Sequence, residues 1–289
     1  MNSNRMSFKG QPMQQDDVFV KSEVRNFPEL VGMPTRKGME KAIMSDGQLV
    51  NVVSDTYGHL PNEQFFLVVE EKLIEADVQY DTRSINRGNR SFAVDYILND
   101  DRYNIVVANG KDVIKPMLRF VNSYDGSSKT SGSFGYFRQV CTNGLHVAET
   151  KMSFSVKHKG SICEFVLPEI DMLVNEFLNN EYYTLKPKAE FLSGAVISDV
   201  QKFIKDVCKE TAIFNYEKSS KNPEPSLKAN IVADSLMAEA RYLDVEPNMW
   251  LGYNALNEIL HTKFQKSFEV QRTMDNKVFN TIYEMAMAN

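Results

Sequence analysis

The chain has 289 residues, 43% hydrophobic and 25% charged, with a formal net charge of −5. These are the proportions of a globular protein large enough to bury a real core, as one large domain or two modest ones. No apolar run is long enough to cross a bilayer, and three cysteines (Cys141, Cys163, Cys208) are too few for a disulfide framework.

The charge is segregated. Residues 81–160 hold twelve Lys and Arg against seven Asp and Glu, a balance of +5, so the rest of the chain carries −10. Segregation of this kind predicts a polarised surface whose basic part favours polyanions.

Met1 to Gln15 is polar and lacks the apolar core of a secretion signal, which predicts a cytoplasmic protein. Residues 1–45 read as an N-terminal arm with one apolar cluster, Val18-Phe19-Val20. Asp46-Gly47 is a turn signal, and Gly47 to Tyr57 reads as a strand. Pro61 to Asp77 reads as a helix, because Phe65, Val69 and Leu73 recur at every fourth residue.

From Val78 to Glu164 the pattern turns strand-like. Phe92 to Leu98 and Tyr103 to Val107 flank the turn signal Asn99-Asp100-Asp101. Met117 to Val121 and Phe134 to Val140 predict a long hairpin around a polar loop of about a dozen residues. Met152 to Val156 and Ile162 to Val166 predict a second hairpin around Lys157-His158-Lys159-Gly160.

After Pro168 apolar residues recur at helical spacing, with one segment on Ile170 to Leu178 and a longer one from Lys188 to about Tyr216. Ser219 to Ser226, with Pro223 and Pro225, reads as a linker before two or three more helices. The expectation is an α+β fold: an antiparallel sheet with long hairpins over 46–167, then a helical part over 168–289, possible as one continuous domain with the sheet.

The usual chemistries find no support. Gly126-Ser127-Ser128-Lys129-Thr130-Ser131-Gly132 fails the phosphate-loop pattern, and no Gly-x-Gly-x-x-Gly opens a helix. His59, His146, His158 and His261 are not paired with one another or with Cys at metal-ligand spacing, so no metal or cofactor is expected. Cys141 and His146 are close in sequence but across an Asn143-Gly144 turn, and no acid–base pair stands out. The reading is non-enzymatic.

A nucleic-acid surface is better supported. Arg83, Arg87 and Arg90 cluster in one Asn/Gly-containing segment, and Lys111, Lys115, Arg119, Lys129 and Arg138 follow along the same sheet. Tyr124, Phe134, Tyr136 and Phe137 are interleaved with them, so bases could stack on rings while cations hold the backbone. The competing reading puts the rings in the core and leaves the cations to solvate the outer face. Asn122, Asp125, Gly126, Asn143 and Gly144 have the residue types of turns. An Arg inside an apolar strand needs a partner, and Asp125 is the expected one for Arg138.

Three segments together carry a family resemblance. The first is Asn122-Ser123-Tyr124-Asp125-Gly126-Ser127 followed by Arg138-Gln139-Val140-Cys141-Thr142-Asn143-Gly144-Leu145. The second is Val52-Val53-Ser54-Asp55 with Tyr57, leading into Pro61-Asn62-Glu63. The third is Trp250 to Glu258, with His261 soon after. From about residue 50 to 265 the chain resembles the phage- and plasmid-borne domain-of-unknown-function family numbered 932. The resemblance implies an origin in a phage or mobile element and a bacterial host cell, and it favours DNA processing.

Two functions follow as expectations. The first is an oligomeric protein that binds single-stranded DNA and promotes annealing in recombination, without catalysis. The second is a protein-binding antagonist of a host defence complex, with exposed aromatic anchors and a phage or host protein as partner.

Overall fold

The computed structural model describes residues 16–34, 36–108, 110–138, 144–145, 153–179, 185–219, 221–263 and 266–288. The chain opens with a three-stranded antiparallel sheet: β1 (Ser22–Asn26), a short helix α1 (Phe27–Val31), β2 (Lys41–Ser45) and β3 (Gln48–Val53). The β2–β3 turn is Asp46-Gly47, both with positive φ (50° and 73°), as a two-residue hairpin requires. The expected arm boundary at 45/46 therefore falls inside a hairpin, with Ser45 paired to Gln48.

Helix α2 (Asn62–Glu75) follows, burying Phe65, Phe66, Val69 and Leu73 on one stripe. Then come β4 (Tyr80–Arg87), β5 (Ser91–Leu98), β6 (Ile105–Val107), β7 (Asp112–Ser123), β8 (Thr130–Arg138), β9 (Gly144–Leu145) and β10 (Ser153–Val156). They form one antiparallel sheet in the order β10-β8-β7-β5-β4, with β6 paired to β7 and β9 to β8.

The remaining elements are α3 (Ile162–Asn179), α4 (Leu185–Gly194), α5 (Val200–Thr211), a small hairpin of β11 (Glu217–Ser219) and β12 (Asn222–Pro225), α6 (Leu227–Leu243), α7 (Met249–Lys263) and α8 (Phe268–Ala288). The architecture is α+β, with antiparallel sheets and a helical C-terminal part. No described helix is long and apolar enough to cross a membrane.

Both faces of the large sheet are covered, which is why all eight residues of β5 are buried. One face is aromatic: Phe92, Tyr96, Phe120, Phe134 and Tyr136 join the stripe of α2 and Ile170, Leu173 and Phe177 of α3 in the main core. That core extends from Val18 to Ala286 and draws on all three sequence regions.

Several expectations are corrected. Ile162 to Val166 is the first part of α3, and Pro168 lies inside that helix, so the 167/168 boundary cuts through it. The polar loop between β7 and β8 is much shorter than a dozen residues, because Thr130 to Ser133 are already strand. Gly132 explains this. A Cβ there would collide with the Phe154 ring and lie 2.7 Å from Leu173 and 2.8 Å from Phe120, so only glycine lets α3 and β10 close over β8. The helix expected over 188–216 is two helices, divided at Asp199, whose side chain caps α5. The 219–226 linker is the turn and second strand of the β11–β12 hairpin.

Candidate nucleic-acid interface

Antiparallel register builds a site on the second face of the sheet. Arg83 is paired with Asp95, Asp95 with Arg119, Arg119 with Ser133 and Ser133 with Ser153, a polar row across five strands. The neighbouring row is Ile85, Ala93, Val121, Ser131 and Ser155. Side chains alternate along each strand, so both rows face away from the aromatic core.

In the polar row two guanidiniums share one carboxylate. Arg83 Nε donates to Asp95 Oδ2 at 2.7 Å, and Arg119 Nη2 donates to the same oxygen at 2.7 Å. All three residues are at most 5% exposed. Burial alone would raise the Asp95 pKa, but Arg119 and Arg83 more than offset it and hold the carboxyl at about 2.

Helix α7 comes near this face only at its C-terminal end, since Asp112 alternates with Ile114 and Phe120 on the aromatic side of β7. Its Trp250 donates to Asp112 at the start of β7 (2.9 Å), while His261, near its end, lies in the field of Arg119, Arg83 and Asp95. Burial, and then the positive charge of Arg119 and Arg83, push the His261 pKa well below its ordinary value. Next, Phe268 caps Ala93 and Val121. Arg87 fastens this segment. Its guanidinium lies 3.8 Å from the Phe268 ring centroid, and Nη2 donates to Gln271 at 2.8 Å. Burial and the nearby Arg119 lower the Arg87 pKa to about 10.

Beside this seam lies a narrow cleft of about 20 Å³, roughly the room that one water needs. Its sheet wall is Arg119, Val121, Ser131, Ser133 and Ser155; Ser128 and Lys129 come from the β7–β8 loop, and Phe268, Glu269 and Arg272 from the start of α8. Lys129 Nζ contacts Glu269 Oε1 at 3.1 Å. Arg272 has no ion pair or hydrogen bond assigned to its guanidinium among the described residues, and burial lowers its pKa despite Glu269 nearby. Among the described residues, the seam and cleft bring together Arg83, Arg87, Arg119, Lys129 and Arg272 with the carboxylates of Asp95 and Glu269.

The sequence-predicted residues are dispersed over several roles. Arg119 and Lys129 line the cleft; Arg83 and Arg87 lie in the adjoining seam. Arg90 is exposed in the β4–β5 turn. Lys111 lies 3.7 Å from Asp244, and Lys115 is buried with Nζ donating to Asn99 at 3.0 Å. Tyr124 and Tyr136 are core residues at 0% exposure and offer no ring face for stacking as folded. Tyr136 alternates into the core from β8, and Tyr124, just past the end of β7, packs on Phe92 beside the start of α2.

The expected Arg138–Asp125 clamp is corrected. Arg138, fully buried, donates from Nε to Asp112 (2.8 Å) and from Nη1 to Glu239 of α6 (2.6 Å). Asp125 instead accepts from the backbone N–H of Ser127 at 2.9 Å, shaping a turn in which Gly126 has φ 72°. Gly144 is in β9, paired with Phe137. Asn143, Cys141 and His146 lie outside the described residues.

Asn122 is structural. Its amide donates to Leu60 O (2.8 Å) and Asn62 Oδ1 (2.9 Å) and accepts from Thr130 Oγ1 (3.0 Å). Tyr124 accepts from the Asn62 backbone N–H (2.8 Å), so this segment positions the start of α2. His59 and His158 flank the network, each with a lowered pKa. His59 is down to about 4 through burial and then the nearby His158.

Sequence reasoning missed Asp95, Asp112, Glu239, Arg272 and Glu269. Asp95 carried a usable signal, being a lone acid within the apolar run Phe92 to Leu98. Nothing local marks Arg272, because its place in the cleft depends on the docking of α8.

The profile of the family described as domain of unknown function (DUF932) matches residues 49–277. The chain belongs to that family. No curated protein and no solved structure matches it.

Proposed function

We propose that this is a single-stranded DNA-binding protein that takes phosphodiester backbone in the cleft between β8 and α8, and that it acts without catalysis in the annealing transactions of a phage or mobile element. The observation that carries this reading is a serine-lined cleft whose described wall holds three cations, Arg119, Lys129 and Arg272, and one carboxylate, Glu269. Phosphate recognition needs cations for charge and hydroxyls for directed hydrogen bonds, and it needs no base readout. The segregated charge of the chain supports the same reading. Relative to the sequence expectation, this reading drops Tyr124, Tyr136, Lys111 and Lys115, keeps Arg119 and Lys129, and adds Arg272.

The test is titration of a labelled oligo-dT across a range of salt, with a strand-annealing assay alongside. Arg272→Ala is expected to weaken binding and to lower the salt slope by about 1, as loss of one phosphate contact does. Absence of binding at low salt, or a variant that binds like the parent with the same slope, overturns the proposal.

A second reading, a protein-binding module, has one observation in its favour. On α3, Phe165 is 61% exposed and Met172, two turns further on, 55%. Large apolar side chains on one helix face are typical anchors for protein partners or self-association. Sedimentation of the parent against Phe165→Asp checks whether this face holds copies of the chain together.

A further inference from the structure

We propose that Glu269 is a resident stand-in for the ligand's phosphate, and that the phosphate site proper is formed by Ser128, Lys129 and Arg272. The inference rests on the nucleic-acid reading and adds to it the place where one phosphate sits and the group that it displaces.

Three observations converge. Ser128 lines the cleft at 5% exposure, and its Oγ has no hydrogen-bond partner among the described residues. A buried hydroxyl without a partner costs stability, so its retention at a cleft wall marks a place where a ligand supplies the missing bond. Second, Arg272 is partly buried in the same cleft, where desolvation disfavours its charge, and it forms no ion pair among the described residues. Third, the one acid lining the cleft is Glu269, on the first turn of α8, with its carboxylate 3.1 Å from Lys129 Nζ.

The geometry explains why an acid belongs there. Lys129 and Arg272 both line the cleft, and Glu269 is the charged group that acts on Arg272 there. A carboxylate on the first turn of α8 offsets their positive charge and also suits the positive end of the helix dipole. Its side chain is 48% exposed and can swing out into solvent. A phosphodiester arriving at the cleft offers the same negative charge with more acceptor oxygens, one of which can take the Ser128 hydroxyl proton in a hydrogen bond. Binding is then an exchange of one anion for another, and Glu269 sets its threshold.

The experiment measures binding of a labelled dT homopolymer of about 20 nucleotides at fixed low salt. Parent, Glu269→Gln, Ser128→Ala and Arg272→Ala are compared, each checked for an unchanged thermal transition. Glu269→Gln is expected to bind about fivefold tighter, the scale of an exposed ion pair removed from competition. Ser128→Ala is expected to bind about fivefold weaker with no loss of stability, because its hydroxyl has no partner to lose in the free protein. If Glu269→Gln and Ser128→Ala both bind like the parent while Arg272→Ala weakens, the stand-in is overturned and the DNA reading remains. If Glu269→Gln binds more weakly, Glu269 supports the site and the exchange is again overturned. If none of the four binds, the DNA reading itself fails.

Discussion

Two buried ionic centres on the same sheet have opposite composition. At one end, Arg138 faces two carboxyl groups, Asp112 and Glu239, and Asp112 also accepts from Trp250. In the middle, two guanidiniums, Arg83 and Arg119, face one carboxylate, Asp95. The first centre is sealed: Arg138 and Asp112 are 0% exposed and Glu239 1%. The second adjoins the open cleft through Arg119. Sealed charges must settle their account internally, so the Arg138 centre joins β7, β8, α6 and α7. A surplus guanidinium next to solvent can serve a ligand. The contrast separates arginines that hold the fold from those that charge a surface, although both kinds look alike in sequence.

The contrast can be broken most sharply at Arg138. Arg138→Ala strands two buried acids and is expected to cost about 3–5 kcal/mol in urea unfolding. Arg119→Ala leaves Asp95 paired with Arg83 and is expected to cost roughly 1–2 kcal/mol. Equal losses would erase the distinction.

Acid sharpens it further. Asp95 is held at about 2 against an ordinary 3.8, so its contribution, about 2 kcal/mol, is fully present above pH 4 and lost as pH falls toward 2. Asp95→Asn should remove that limb of the pH–stability curve. The Asn122 network has an earlier window. His59 titrates near 4 when folded and near 6.5 when unfolded, so the unfolded chain takes up the proton first and stability falls between those values. That loss is expected to be about 3 kcal/mol, and His59→Gln should flatten it, though His158 and His261 retain their share. The smallest effect belongs to Arg272→Ala, whose stability should stay within about 0.5 kcal/mol of the parent while DNA binding changes.

Much of the fold was legible. The helix stripe of Phe65, Val69 and Leu73, the Asp46-Gly47 turn and the aromatic strands are local signals, and each element is where its period puts it. The errors have physical causes. Ile162 to Val166 is a short apolar run, which suits either a strand or a buried helix turn, and tertiary packing chose the helix. Thr130 to Ser133 looks like loop because it is small and polar, yet those residues form strand, and at Gly132 nothing larger fits beneath Phe154 and Leu173. At the candidate site, Arg83, Arg87, Arg119 and Lys129 were visible as basic residues. Their partners were not, because Glu269 is 140 residues from Lys129 and Asp112 is 26 from Arg138. Only the register of β4, β5 and β7 reveals that Asp95 sits between two arginines.

Strand β4 is where both distant ends of the chain are tied down. Ser84 and Asn86 bind Asp16, and Arg87 binds Gln271, 184 residues away. Contacts so remote along the chain cannot repay their loop-closure entropy until the intervening sheet and helices exist. This margin of the sheet is therefore expected to assemble late in refolding, together with the docking of α8 that completes the cleft.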